Sequence, residues 1–203
     1  SRRHGSGQAM LETCIERLKE HKVKSAYLEV IAGNMPAYTL FLQLGFKDVG
    51  KLLVLRRPPD LSPESPLYRH PFDAQATLRW LDESQTLSYA AKRGRRPAWT
   101  NQTESLAAAR TVRALHIASH DSELSGWVCY EPTPLQLRRV LIASDSGGDV
   151  APAYDLLFHL HTRYSHLDTL AENIASDDPH LEAFYAHGYV TPFARIEMEF
   201  LFS

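Results

Sequence analysis

The stretch LEVIAGNMPAYTLFLQLGF (residues 28–46) has a counterpart in AENIASDDPHLEAFYAHGY (residues 171–189), 143 positions later. The two segments align without a gap, and the alignment pairs Gly45 with Gly188. Solenoid repeats have periods of roughly 20 to 50 residues, so a repeat at this distance indicates a duplicated domain. The sequence therefore predicts two copies of one fold in a single chain.

The chain has 203 residues, of which 44% are hydrophobic and 23% are charged. This composition is typical of a soluble globular protein, and the length suits one large or two modest domains. The formal net charge of -2 argues against a general attraction to nucleic acid or to an anionic membrane. No apolar run approaches the roughly 20 residues that span a bilayer.

The two cysteines, Cys14 and Cys129, do not form a CxxC pair. A disulfide-stapled secreted domain is therefore disfavoured, and we expect a reducing, cytoplasmic location. Cys14 falls on the predicted apolar stripe of the first helix, which predicts a small core residue. The three tryptophans are likewise expected to be core or interdomain anchors.

Hydrophobic periodicity and turn residues predict an alternating order of elements. The predicted helices cover 8–21, a short segment from Pro36 to Gly45, pieces of 74–110, 151–161 and 179–187. The predicted strands cover 25–32, 46–55, 111–118, 124–132, 137–143, 167–174 and 195–202. A proline-rich segment favours a linker, which predicts a first domain over 1–56, a linker over 57–73 and a second domain over 74–203.

The chain opens with RRHGSGQAM (residues 2–10), a glycine loop that runs directly into the first helix. The shift of 143 places Gly5 on Gly148, and the second copy has a long segment before its loop that the first copy lacks. We therefore expect the sequence to hold the second half of the first copy and the whole of the second.

Glycines before a helix allow close approach of the backbone to a phosphate, because Gly5 and Gly7 have no Cβ atoms. The helix N-terminus adds free N–H groups and a positive dipole end, and an arginine can add a charged contact. A simple turn is the alternative, since short glycine turns precede many helices.

The pattern Arg2-x-x-Gly5-x-Gly7, followed by a helix, a strand, Asn34 and Ala37, resembles the acyl-CoA-binding half of the GCN5-related N-acetyltransferase family. The resemblance implies an α/β fold of tandem acyl-CoA N-acyltransferase domains. Each would have a mixed, mostly antiparallel sheet flanked by helices, and the sheet would open between its fourth and fifth strands.

The resemblance also implies acetyl-CoA as acyl donor and a small-molecule or peptide amine as acceptor. The loop would bind the pyrophosphate, and Asn34 with the following short helix would lie along the pantetheine arm. The implied cofactor-binding residues are Arg2, Arg3, Gly5, Ser6, Gly7, Gln8, Asn34, Ala37 and Phe41. The acceptor-binding half of the first copy is absent from the sequence, so we expect this chain alone to be inactive.

Glu29 lies where some family members carry a catalytic glutamate, and the alternative is an outward-facing strand residue. Phe41 stands where the family usually has a tyrosine acid, and Phe184 repeats that replacement. In the second loop, Asp145 and Asp149 would repel a pyrophosphate, which predicts a degenerate second copy with a structural role. A non-catalytic acyl-CoA-binding or interaction module therefore remains the alternative to an enzyme.

The remaining patterns predict no further partner. The ten histidines show no zinc-ligand spacing, so we expect no metal. The basic run KRGRR (92–96) is typical of a solvated loop rather than a nucleic-acid site. A homodimer is compatible with the sequence, whereas nucleic acid and membrane are not expected as partners.

Overall fold

A computed structural model describes residues 6–60, 76–93, 96–120, 125–145 and 150–202. The helices are α1 (Ser6–Glu20), α2 (Met35–Gln43), α3 (Glu83–Ala91), α4 (Thr103–Ala109), α5 (Ala151–Arg163) and α6 (Leu181–Ala186), and a 3-10 turn covers Trp99–Asn101. The strands are β1 (Ser25–Ile31), β2 (Lys47–Arg57), β3 (Thr77–Leu81), β4 (Arg113–Ala118), β5 (Ser125–Pro132), β6 (Gln136–Ser144), β7 (Asp168–Ala175) and β8 (Val190–Leu201).

The first of two compact units contains Ser1–Lys51 together with Ala194–Ser203. Its strand order is β1-β8-β2, and β1 pairs with β8 antiparallel. One face of these strands is apolar, and α1 and α2 pack on it. The buried centre of this packing consists of Ile15, Val30, Phe46 and Met198.

The second compact unit covers Leu52–Phe193 and has the strand order β2-β7-β6-β5-β4-β3. Neighbouring strands are antiparallel except β6 and β7, which are parallel. Trp127, Tyr130 and Phe184 are among the largest side chains in its core. The fold is thus α/β with a mixed sheet flanked by helices, as the sequence predicts.

The backbone pairing of the parallel strands β6 and β7 stops soon after they begin. Among the residues described, they pair at Gln136–Asp168 and Leu137–Thr169, and no pairing is found further along. The 3-10 turn connects the two strands beyond that point: Arg139 Nη1 donates to the Thr100 carbonyl at 3.1 Å, and Asn101 Nδ2 donates to the Glu172 carbonyl at 2.9 Å. The ladder of the second unit is therefore interrupted between its fourth and fifth strands in sequence, counting from β3, and we call this interruption the opening.

The shift of 143 positions is visible in the strand register of the two units. The pair Tyr27–Glu199 in the first unit corresponds to Arg56–Leu170 in the second. The helices and strands of 6–57 recur within two residues of the shifted positions, apart from a shorter α6. The residues of β2 fall on both sides of position 51, and those of β8 fall on both sides of position 193.

The structure corrects several details of the sequence-based expectations. Thr77–Leu81 is a strand, whereas the sequence predicts helical pieces there; it is a five-residue edge strand, too short for periodicity to reveal. Cys14 is exposed rather than part of the core, because Ile15 is the buried residue of α1. Trp127 is buried as expected, but Trp80 and Trp99 are exposed.

The predicted domain limits at 56/57 and 73/74 stay a prediction. Most of the predicted linker over 57–73 lies outside the described residues. None of the helices described is both long and apolar enough to span a lipid bilayer.

Candidate functional site

The connection between α1 and β1 brings the first turn of α1 to the end of β1. Lys22 has a φ of 55° and Val23 N–H donates to the Leu18 carbonyl at 3.1 Å, so the chain reverses tightly after the helix. A helix of 15 residues is about 22 Å long and a strand of seven residues about 23 Å. The N-terminus of α1 and the C-terminus of β1 therefore lie at the same end of the first unit.

The N-terminus of α2 lies at this end as well, because α2 follows β1 after a short turn. Asn34 is its N-cap, and Asn34 Oδ1 accepts a hydrogen bond from the Ala37 N–H at 3.5 Å. Pro36 occupies the first turn, where its missing N–H costs nothing. Two helix N-termini, each with positive partial charge, thus meet at the C-terminal end of β1.

The predicted cofactor residues separate into three groups. Arg2, Arg3 and Gly5 lie outside the described residues. Ser6, Gly7 and Gln8 are exposed on the first turn of α1, Asn34 is exposed at the start of α2, and Ala37 and Phe41 are half-buried. A Cβ atom added at Gly7 would meet no atom within 4 Å, so the backbone there is open to approach.

Phe41, which the sequence places beside the cofactor, packs in the apolar cluster of the first unit. Its ring meets the ring of Phe46 edge to face, with centroids 5.9 Å apart. Tyr38 precedes Phe41 on α2, and its hydroxyl donates a hydrogen bond to Asp48 Oδ2 at 2.8 Å. This hydrogen bond raises the pKa of Tyr38. The Tyr38 hydroxyl is thus directed at Asp48.

Glu29 lies on the face of β1 opposite the apolar cluster. Its Oε2 accepts a hydrogen bond from Arg195 Nη1 at 3.1 Å, and its side chain is 11% exposed. Glu197 stands directly opposite on β8 and is 9% exposed. On the same face, the Tyr27 hydroxyl donates to Glu199 Oε1. Glu29 is thus a shielded carboxylate that is held by an arginine.

We call the polar side chains of this face the acidic face: Tyr27, Glu29, Arg195, Glu197 and Glu199. Within β1 and β8, this face carries three carboxylates and one guanidinium. Carboxylates attract a cationic ligand such as an ammonium. The sequence reasoning missed the residues of β8. The alternation in RIEMEF (195–200) could have found them, because period two places Arg195, Glu197 and Glu199 on one face.

The second copy carries different groups at the corresponding positions. Asp145, predicted to repel a phosphate, accepts from Ser125 Oγ at 2.6 Å and lies 3.3 Å from His116 Nε2; Asp149 lies outside the described residues. Phe184 is buried in the core, and the Tyr185 hydroxyl lies 3.0 Å from Thr191 Oγ1. In the described parts of the chain, no group of three or more His, Cys, Asp or Glu side chains could hold a metal ion.

Comparison with known proteins supports the similarity to acetyltransferases. Residues 1–46 match the family model described as "Acetyltransferase (GNAT) family". No curated protein sequence matches the chain. The fold is similar to that of a GCN5-related N-acetyltransferase from Sphaerobacter thermophilus, with a TM-score of 0.64 and 16% identity over 98% of this chain and 69% of that one.

Two further solved structures show the same fold. A GCN5-related N-acetyltransferase from Anabaena variabilis ATCC 29413 has a TM-score of 0.61 and 10% identity, over 98% of this chain and 51% of that protein. A tandem GNAT protein from the clavulanic acid biosynthesis pathway has a TM-score of 0.58 and 13% identity, over 99% of this chain and 71% of that one. The chain thus spans about half the length of the Anabaena protein and about seven-tenths of the other two.

Proposed function

We propose that this chain is part of a tandem N-acetyltransferase that transfers an acetyl group from acetyl-CoA to an amine. The observation that carries the proposal is the convergence of two helix N-termini at the C-terminal end of β1, the strand that carries Glu29. The match of residues 1–46 to the acetyltransferase family model covers the same elements.

In this proposal the first turn of α1 binds the pyrophosphate of acetyl-CoA. The N–H groups at the start of a helix have no partner within the helix, and the dipole favours an anion there. Ser6, Gly7 and Gln8 present such groups in solvent. Arg2 and Arg3 would add positive charge, and Asn34 with Ala37 would lie along the pantetheine arm.

The acidic face gives a reason for an amine as the acceptor. An ammonium group is attracted by the carboxylates Glu29, Glu197 and Glu199, and a carboxylate can accept the proton that the nitrogen must lose before it attacks a carbonyl carbon. Glu29 would be this base, with Arg195 fixing its orientation. The carboxylates support an amine as the acceptor, either a small molecule or a peptide.

We further propose the domain roles predicted above, with a first domain over 1–56, a linker over 57–73 and a second domain over 74–203 that is structural. The bridging of β6 and β7 by Arg139, Thr100 and Asn101 supports a structural second domain. The hydrogen bond of Asn101 engages the Glu172 carbonyl, a backbone group at the edge of the opening where an extended ligand arm would otherwise bond.

A non-catalytic acyl-CoA-binding or interaction module is the second candidate, and one observation favours it. Phe41 has no hydroxyl and packs against Phe46, so it cannot protonate a leaving thiolate. A binding protein would need the helix N-termini but neither Glu29 nor an acid.

A transfer assay separates the two candidates. Free thiol is measured while acetyl-CoA and a panel of polyamines, aminoglycosides and peptides are incubated with the full-length enzyme of which this chain is proposed to be a part. Glu29→Gln should lower kcat by about 100-fold, the scale of general-base catalysis, without weakening acetyl-CoA binding. Glu16→Gln is the matched control, because Glu16 is exposed on α1 of the same unit. Binding without transfer to any amine would favour the non-catalytic module.

A further inference from the structure

Ser144, His180 and Asp178 form a continuous hydrogen-bonded relay in the second unit. Ser144 Oγ lies 2.9 Å from His180 Nε2, and His180 Nδ1 lies 3.0 Å from Asp178 Oδ1. Both distances fall within the roughly 2.6–3.2 Å that joins a nucleophile, its base and the group that orients the base.

The partners of His180 determine which ring nitrogen carries the proton. An aspartate carboxylate only accepts hydrogen bonds, so the proton of the neutral ring is on Nδ1 and points at Asp178. The lone pair of Nε2 is then available to the hydroxyl of Ser144. The same Asp178 oxygen also accepts from the His180 backbone N–H at 2.9 Å, which fixes the ring relative to the chain.

The relay spans the opening between the parallel strands of the second unit. Ser144 is the last residue of β6, and Asp178 and His180 follow the end of β7 at Ala175. Because the pairing of β6 and β7 stops after Leu137–Thr169, these side chains connect the carboxyl ends of the two strands beyond the ladder. Ligands of open α/β sheets bind in the crevice at this end of the strands.

Solvent exposure along the relay fits a nucleophile with a shielded base. The side chain of His180 is 6% exposed, whereas that of Asp178 is 23% exposed and Ser144 is half-buried. The serine residue is thus partly accessible to solvent, while the imidazole remains largely out of water.

We infer that Ser144 is the nucleophile of a second catalytic site, which cleaves activated acyl groups, either esters or thioesters. Ser144 Oγ attacks the carbonyl carbon, and its proton passes to His180 Nε2. The bond from that carbon to the leaving oxygen or sulfur breaks, and the leaving group takes the proton from Nε2. Water then attacks the acyl-serine, gives its proton to Nε2, and Ser144 regains a proton as the acid departs.

The relay is a property of the second copy alone. The positions 143 residues before Asp178 and His180 hold Met35 and Ala37, which can neither orient nor act as a base. The inference therefore goes beyond the proposed acetyl transfer, in which the second copy is structural. Its test uses substrates without CoA, so that the two proposals can fail separately.

Labelling with an alkyl fluorophosphonate tests the nucleophile directly. The reagent bonds to an activated serine oxygen as fluoride leaves, and peptide mass spectrometry then locates the adduct. We expect the adduct on Ser144 in the full chain and its loss in Ser144→Ala. Ser125→Ala is the matched control, because Ser125 donates to a carboxylate, Asp145, and should not affect labelling.

Two further variants test the relay, with folding checked by circular dichroism. His180→Gln and Asp178→Asn should each slow labelling of Ser144 and hydrolysis of p-nitrophenyl acetate, by about 100-fold for the base. A parallel assay with an acyl thioester determines which leaving group is preferred. Absence of an adduct on Ser144, labelling that persists in folded His180→Gln, or hydrolysis that persists in Ser144→Ala would each overturn the inference.

Discussion

Gly45 and Gly188 lie 143 positions apart, and both have left-handed backbone, with φ of 96° and 83°. Each follows a short helix, α2 or α6, and each precedes a strand by two residues. A glycine in this conformation is a common helix terminator, because a side chain would be strained there. The two aligned segments thus share the glycine turn that precedes their last strand.

Gly45→Ala should destabilise the protein by about 1–2 kcal/mol, the cost of left-handed backbone for a residue with a Cβ. A Cβ at this position would also lie 3.1 Å from Phe200 Cε2, which makes the substitution tighter still. Urea denaturation measures the loss. Gly50→Ala is the control, since a Cβ there meets nothing within 4 Å and the backbone is not left-handed. Equal stability of the two variants would contradict the role of the turn.

Acid should destabilise the second unit through buried histidines. Burial and the nearby Arg57 lower the pKa of His187 to about 4 and hold the pKa of His161 well below its ordinary value. The neutral forms are therefore favoured in the folded state. Their contribution is complete above the unfolded pKa near 6.5 and is lost as pH falls from there toward 4.

For His187 this loss amounts to about 3 kcal/mol between pH 6.5 and 4. His187→Leu places a leucine at this position, as Leu44 does at the position 143 residues earlier. The variant should reduce the pH dependence of the free energy of unfolding. His166→Leu, at an exposed histidine, serves as the control. A pH dependence unchanged by His187→Leu would show that other groups cause the acid sensitivity.

The two thiols should differ sharply in reactivity. Cys14 is exposed on α1, whereas Cys129 is buried in β5, and burial raises its pKa to about 12. Since the thiolate is the reactive form, a thiol reagent such as DTNB should titrate one cysteine in the folded protein and two in denaturant. Cys14→Ser should abolish the reaction of the folded protein. Rapid modification of Cys129 in that variant would contradict the burial of β5.

Residue periodicity predicted most helices and strands, because each reflects a face buried against a core. It could not predict which strands pair. The second half of β8 pairs with β1 in the first unit, and the alternating residues of 195–200 do not encode that partner. Residues far apart in sequence pose the same difficulty: Ser144 and His180 are 36 positions apart, and only the folded chain shows that they meet.

The exposure of Cys14 shows a related limit of such patterns. An apolar stripe at helical spacing predicts which face of α1 would be buried, but burial requires a packing partner. In the structure Ile15 is buried, while Met10 and Cys14 remain exposed. The spacing of residues in the sequence likewise does not determine which side chains act in catalysis or bind a cofactor.

Calorimetric titration of acetyl-CoA into the wild-type chain and into Gly7→Glu tests the central claim most directly. The variant adds one negative charge at the proposed pyrophosphate site. A side chain has room there, and the positive end of the helix dipole favours an acidic residue, so the helix should still form. Thr13→Glu is the matched control, since it adds the same charge at an exposed position about 9 Å further along α1. We predict micromolar binding to the wild type and to Thr13→Glu, and at least tenfold weaker binding to Gly7→Glu. Equal affinity for all three proteins, or no binding to any, would contradict a cofactor site at the start of α1.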